Sequence, residues 1–298
     1  MNGVVPVPNM QVIDRVSGDQ DIIVRQWALR WEPILRESAP MEAAALRRTF
    51  LSDPAPKLRA DALRASVAAT AQDAADALWK SMSDSSGAVR LCARYHLRQF
   101  FGDVDFAAHY RAVLQEGQKH QEGAVSGLGE TGKAGDFDLL IPYFDGSSRE
   151  AQSALKSLST LDGDRARPIV LQSLIDDRPG VRRTATKLLN RHVFDYESDL
   201  LMELWARRPE ANAAVNLAAA TLRLPPWLAL NVLLSALEIG SADVAVLDAL
   251  AQWRPTINRV YVAPPPSEEL RHRLLGKISL LSRRIPDELV SRLAAAIQ

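Results

Sequence analysis

The stretch that decides the fold, residues 176–189, reads DDRPGVRRTATKLL and opens on the acidic anchor Asp176. Val181, Arg182 and Ala185 follow five, six and nine residues after it. Comparable anchors stand at Asp19, Asp53, Asp84, Gln115, Asp145 and Asp176. The last five are 31, 31, 30 and 31 residues apart. A fixed period of this length is typical of an array of stacked structural repeats.

Each repeat predicts two helices, an amphipathic run before the anchor and a second run after it. Alanine stands nine residues after the anchor in all six copies: Ala28, Ala62, Ala93, Ala124, Ala154 and Ala185. A small residue there lets two helices approach closely. Leucine stands four residues further on in the last four copies, whereas Glu32 and Ser66 depart from the pattern. Because one helix pair cannot bury its apolar stripe alone, neighbouring pairs are expected to stack.

Two stretches carry a resemblance to a known family. Asp84-Ser-Ser-Gly-Ala-Val89-Arg90 and Asp176-Asp-Arg-Pro-Gly-Val181-Arg182 resemble the signature of HEAT repeats, in particular the bilin-lyase-like (PBS-type) variant. The resemblance implies an all-α fold, a right-handed α-solenoid of stacked HEAT-like helix pairs. The family includes scaffolds, transport receptors, chaperone-like lyases and a few enzymes, so the resemblance does not select a function.

The pattern predicts one array over residues 1–298. We expect an N-terminal capping unit, five regular repeats, degenerate repeats, a proline-rich loop and two C-terminal capping helices. These segments are 1–38, 40–193, 196–254, 255–266 and 267–298. Terminal repeats are expected to be atypical because one face must meet water.

The amino-acid composition limits the classes of protein and of site to which the chain can belong. The formal net charge is +0, and Cys92 is the single cysteine, which leaves no disulfide framework or multi-cysteine zinc site. No basic cluster precedes an apolar core at the N-terminus, and no apolar segment approaches the ~20 residues that span a bilayer. We expect a cytoplasmic protein without a membrane span.

One glycine-rich stretch is similar in sequence to nucleotide-binding motifs. Residues 127–134 read GLGETGKA, which matches the dinucleotide glycine pattern and nearly matches the Walker pattern. Both patterns require a preceding strand, whereas this string ends a predicted second helix, so we interpret its glycines as a helix end and turn. No cofactor is expected.

The histidines and possible nucleophiles form no motif. His96, His109, His120, His192 and His272 are scattered, and none is followed by glutamate. We therefore expect no metal site and no catalytic residues, and interpret the protein as a non-enzyme.

The arginines fall into two registers. Arg25, Arg59, Arg90 and Arg182 stand six residues after an anchor, and we expect them to bond acidic groups of adjacent repeats while the anchors cap helices. The column five residues later contains no acid in six copies: Arg30, Arg64, Tyr95, Ser126, Lys156 and Lys187. Arg94, Arg98, Arg183 and Arg191 are expected to be exposed beside it.

The second register is the candidate site. In a right-handed stack, second helices line the concave face, so one register forms a stripe along it. The predicted partner-binding residues are Arg30, Arg64, Tyr95, Arg98, Lys156, Arg183 and Lys187. Our hypothesis is a scaffold that binds an acidic protein or peptide in this groove. The alternatives are nucleic-acid binding through the same groove, as in HEAT-like DNA glycosylases, and a bilin-lyase-like chaperone.

Overall fold

The computed structural model describes residues 10–69, 71–117, 121–189, 197–207, 209–256 and 263–298, without the side chains of 71–73. Within these residues the chain is all-α, as predicted. Its contacts divide it into two compact units, Met1–Tyr143 and Phe144–Gln298. The boundary falls inside the predicted run of regular repeats, 40–193. Residues 257–262 of the predicted proline-rich loop, 255–266, lie outside the described residues.

The first unit contains ten α-helices among its described residues. They are α1 Met10–Ser17, α2 Ile22–Leu29, α3 Glu32–Ser38, α4 Pro40–Leu51, α5 Pro56–Ala69, α6 Ala71–Ser81, α7 Gly87–Phe101, α8 Phe106–Gln115, α9 Glu122–Thr131 and α10 Phe137–Leu140. Short 3₁₀ turns flank α10 at Ala134–Asp136 and Ile141–Asp145. Most helices that follow one another in sequence pack together, and among the second helices of neighbouring repeats α5 packs on α7 and α7 packs on α9.

The second unit contains nine described helices. They are α11 Ser148–Leu161, α12 Gly163–Gln172, α13 Pro179–Leu188, α14 Ser198–Ala206, α15 Ala211–Thr221, α16 Pro226–Glu238, α17 Asp243–Gln252, α18 Glu268–Leu281 and α19 Asp287–Ile297. Helices α11, α13, α15 and α17 pack in one row, and α12, α14, α16 and α18 pack in a second row beside it. Along each row, a helix therefore meets the helix two places further on in sequence.

The alanine column explains this close packing. All six alanines of the column are fully buried, as the pattern predicts. Leu97, Leu128 and Leu158, four residues further on, are fully buried too. The two departures are also buried: the Ser66 hydroxyl donates to the Ala62 carbonyl at 2.9 Å, and Glu32 pairs with Arg47 at 2.5 Å. Polar residues occupy these positions because each has an internal partner.

The helical run at the N-terminal end is broken in two. The second run of that unit breaks at residues 30–31, so that α2 ends at Leu29 and Pro33 lies in the first turn of α3. Proline is tolerated there because the first-turn amide has no helical acceptor. Trp27 is 40% exposed and meets Trp31 edge-on, with ring centres 5.8 Å apart.

Candidate partner-binding surface

The arginines of the first register connect neighbouring repeats. The Arg59 Nη1 donates to the Asp53 and Pro54 carbonyls of its own loop, at 2.7 and 3.1 Å. Its Nε and Nη2 each donate to a carboxylate oxygen of Asp84, the next anchor, at 2.7 Å. Two parallel hydrogen bonds fix both distance and orientation. Arg59 is therefore engaged inside the fold.

The preceding junction has the same geometry. Arg25 donates to Asp53 through Nε and Nη2 at 2.7 and 3.0 Å, and its Nη1 bonds the Asp19 and Gln20 carbonyls. The Asp53 carboxylate also accepts the Ala55 amide at 2.7 Å, which holds the turn before α5. The hydrogen bond that Arg25 donates to Asp53 raises the pKa of Arg25, and the one that Arg59 donates to Asp84 raises the pKa of Arg59. The structural interpretation of this register is confirmed at these two junctions.

The third junction lacks an acidic anchor, because Gln115 occupies the anchor position. Arg90 pairs with a different acid instead. Its Nε and Nη2 donate to the carboxylate of Glu130 at the end of α9, while Nη1 keeps its own-loop bond to the Asp84 carbonyl at 2.6 Å. Arg94 pairs with the same carboxylate at 2.7 Å and donates to the Tyr110 hydroxyl at 3.0 Å. The expectation that Arg94 is exposed is wrong, since only 12% of its side chain is accessible.

The electrostatics of Glu130 follow from this arrangement. Burial alone would raise the pKa of its carboxyl group. The hydrogen bonds and charges of Arg90 and Arg94 outweigh that effect and hold the pKa below its usual value of 4.5. The carboxylate is therefore charged at neutral pH and pairs with both Arg90 and Arg94, which are then engaged within the fold.

The candidate stripe residues are placed differently. All seven of them are exposed: Arg30, Arg64, Tyr95, Arg98, Lys156, Arg183 and Lys187. Ser126, in the same column, is half-buried, and Arg191 lies outside the described residues. The Arg98 guanidinium lies over the Phe106 ring, 5.5 Å from its centre. This register therefore leaves its charges at the surface of both units.

One groove brings two of these residues together. It lies in the first unit between α2, α3 and α5, has a volume of about 450 Å³, and is lined by both Arg30 and Arg64. The sequence pattern did not identify the rest of its lining, which includes Leu29, Pro33, Arg36, Asp61, Ala65 and Ala68. The one signal was Glu32, a charged residue in a column that is otherwise mostly apolar. Lys156, Arg183 and Lys187 belong to α11 and α13 of the second unit.

The glycine string serves packing. Gly127 lies inside α9, where an added Cβ would stand 2.2 Å from the Tyr110 ring. Gly132 is the C-cap residue of that helix, as expected for a helix end, with a φ of −78°. Gly123 is tighter still, since its Cβ would come within 1.9 Å of the Ser83 carbonyl oxygen. These glycines allow α9 to approach its neighbours closely.

The described residues contain no cluster of three or more histidine, cysteine, aspartate or glutamate side chains that could hold a metal ion. His120 and His192 lie outside this part of the chain. Cys92 is buried on α7, and burial raises the pKa of its thiol. A thiol with a raised pKa is a poor nucleophile at neutral pH.

Three comparisons, with protein-family models, curated proteins and solved structures, find no match to this chain. Among the described residues, no helix is both long and apolar enough to cross a membrane.

Proposed function

We propose that the chain is a right-handed α-solenoid of HEAT-like helix pairs. It acts as a non-enzymatic, cytoplasmic scaffold that binds an acidic protein or peptide. The repeat period, the buried alanine column and the two rows of helices in the second unit support the architecture. The exposed cations five residues after the junction arginines support the partner class.

The observation that carries the proposal is the division of labour between the two registers. Arg59 and Arg64 lie on the same helix, yet Arg59 makes two bonds to Asp84 whereas the Arg64 side chain is 59% accessible. Repetition of the second register places cations at the surface, just after α2 and on α5, α11 and α13. An acidic partner meets charges that do not connect neighbouring repeats.

Affinity capture from lysate of the source cells, with and without nuclease, tests this function. The wild type is compared with a double variant, Arg64→Glu with Lys187→Glu. The matched control reverses the exposed Arg48 and Arg283, which lie outside the stripe and change the net charge equally.

The proposal predicts one or a few proteins that survive nuclease, remain with the control and are lost from the stripe variant. Capture that disappears with nuclease would favour nucleic acid instead. A covalent coloured adduct would favour the lyase-like alternative, and equal capture by both variants would contradict a role for the stripe.

A further inference from the structure

Two clefts of similar size differ in how their charges are satisfied. A cleft of about 500 Å³ in the second unit is lined by Phe144, Asp176 and Arg178, among others. Arg178 donates to both Asp176 oxygens, at 2.9 and 2.8 Å, and to the Phe144 and Gly146 carbonyls. Its guanidinium therefore already has hydrogen-bond acceptors within the fold and needs no ligand to supply them.

The groove between α2, α3 and α5 instead has more positive than negative side chains in its lining. Three arginines and two acids line it, and both acids are already paired. Glu32 bonds Arg47 at 2.5 Å, and Asp61 bonds Lys57 and Arg64 at 2.8 and 2.6 Å. Because the two carboxylates are neutralised by other cations as well, the groove retains an excess of positive charge.

Arg36 adds an independent observation. Its Nη1 is buried and has no hydrogen-bond partner among the described residues. A buried donor without an acceptor is destabilising. An anion in the groove would supply that acceptor once the guanidinium turns toward it, so the orphaned donor favours a negatively charged ligand.

The remaining lining residues indicate which chemical group the ligand carries beside its anion. Leu29, Pro33, Ala65 and Ala68 present aliphatic surface between the arginines. Small residues on α5 leave space above the helix, and aliphatic walls favour an apolar side chain over a solvated one. A ligand that fits both features carries an apolar group next to an anion.

Building on the proposed scaffold function, we propose that this groove is a peptide-binding site for a segment with an aliphatic side chain next to a carboxylate. The aliphatic group lies against Leu29, Pro33 and Ala68. The carboxylate is received by Arg36, with Arg30 and Arg64 at the rim. This assigns a defined position and ligand chemistry to one part of the stripe.

A peptide fits this groove better than a nucleic acid does. Single-stranded nucleic acid is usually held by aromatic side chains that stack on bases, and no aromatic residue is among the described residues that line the groove. The chain also has a formal net charge of +0, which gives little general attraction for a polyanion.

Fluorescence anisotropy on the full chain tests the site, with a labelled ten-residue peptide that alternates leucine and aspartate as the probe. We expect saturable binding with a Kd below about 1 mM. The same peptide with asparagine in place of aspartate, a peptide that alternates serine and aspartate, and an oligothymidylate of equal length separate the contributions of charge and apolar surface. Each should bind about tenfold more weakly.

Two variants act on the groove by different routes. Arg36→Gln removes the anion receptor, and Ala68→Phe fills the exposed apolar floor while all three arginines remain. Both should weaken the leucine–aspartate peptide about tenfold, whereas Arg48→Ala should leave its affinity unchanged. Ala68→Phe lies at an exposed position of α5, so it tests the site even if Arg36→Gln fails to fold.

Failure of the site is distinguishable from failure of the scaffold function. Unchanged affinity in Ala68→Phe, equal binding of the asparagine peptide, or no binding by the wild type would overturn the site. Tighter binding of the oligothymidylate would overturn it in favour of nucleic acid. The scaffold function would still stand if the stripe variant lost its captured proteins, and would fail separately if it retained them.

Discussion

Arg59 and Arg64 are the same residue type on one helix, five positions apart, and the fold uses them in opposite ways. Arg59 joins its own loop to the next anchor through Asp84, and 13% of its side chain is accessible. Arg64 reaches the rim of the groove, where 59% of its side chain is accessible and it pairs with Asp61 on the same helix. Register within the repeat, more than residue type, decides whether a charge stabilises the array or remains for a partner.

The largest expected loss of stability follows from replacing an arginine of the first register, because these arginines connect neighbouring repeats. Arg59→Met leaves the half-buried Asp84 carboxylate without its two strongest donors. The free energy of unfolding should fall by about 2 kcal/mol. Urea denaturation followed by circular dichroism measures this. Arg273→Met removes an exposed i,i+4 pair with Glu269 and should cost less than about 0.5 kcal/mol. Equal losses in the two variants would break the distinction between the registers.

The third junction tests whether a different acid can replace the anchor. Glu130→Gln removes the charge that holds Arg90 and Arg94, and Arg90 is almost fully buried. We expect a loss of about 1.5 kcal/mol, since a buried guanidinium loses its carboxylate. Glu203→Gln, at an exposed position of α14, is the matched control and should be close to neutral. If Glu130→Gln were equally neutral, the substitution of Glu130 for the missing anchor would have no energetic meaning.

A pH series tests the ion pair between Arg111, on α8, and Asp136. The hydrogen bond from Arg111 lowers the pKa of Asp136 below its usual 3.8. The stabilisation is therefore fully present above the unfolded-state pKa and is lost as pH falls through the lower folded-state value. Urea midpoints measured from pH 6 to pH 2 should decline less steeply below about pH 4 in Asp136→Asn than in the wild type.

Arg111→Met provides the control for that series, because it removes the cause of the shift and leaves Asp136 in place. It should reduce the acid-side slope in the same way. A slope that stays at the wild-type value in both variants would contradict the assignment of this pair.

The smallest expected change in stability belongs to the stripe. Arg64→Ala removes an exposed side chain with a surface ion pair. The free energy of unfolding should therefore change by no more than about 0.5 kcal/mol. Binding of the leucine–aspartate peptide should nevertheless weaken. A large loss of stability would mean that Arg64 belongs with the structural arginines.

Much of the architecture follows from the sequence pattern. The alanine column, the helical runs and the Arg25 and Arg59 junctions were predictable because a fixed period repeats the same local packing problem. Terminal elements were also predictable, since α1, α18 and α19 occupy the expected segments. The pattern did not identify the Arg90–Glu130 pair, because residues 40 apart in sequence meet only after α9 packs against its neighbours.

The groove was predictable only in part. Arg30 and Arg64 were identified by their register, but Arg36 and Pro33 enter the site because the helix breaks after Leu29 and α3 changes direction. The sequence signal for that break is Pro33, which lies in the first turn of α3, but the repeat pattern does not show which residues of α3 face the groove. Tyr95 and Arg98 were found exposed as predicted, while their role as partner-binding residues stays a prediction.

The most direct measurement is a paired assay of Arg59→Met and Arg64→Glu, which lie on the same helix. Each variant is examined by urea denaturation and by capture of the nuclease-resistant partner below its unfolding midpoint. The account predicts a crossed result: Arg59→Met loses stability but retains the partner while folded, and Arg64→Glu retains stability but loses the partner. If Arg64→Glu kept the partner, or if both variants lost stability together, the separation of structural and partner-binding registers would be wrong.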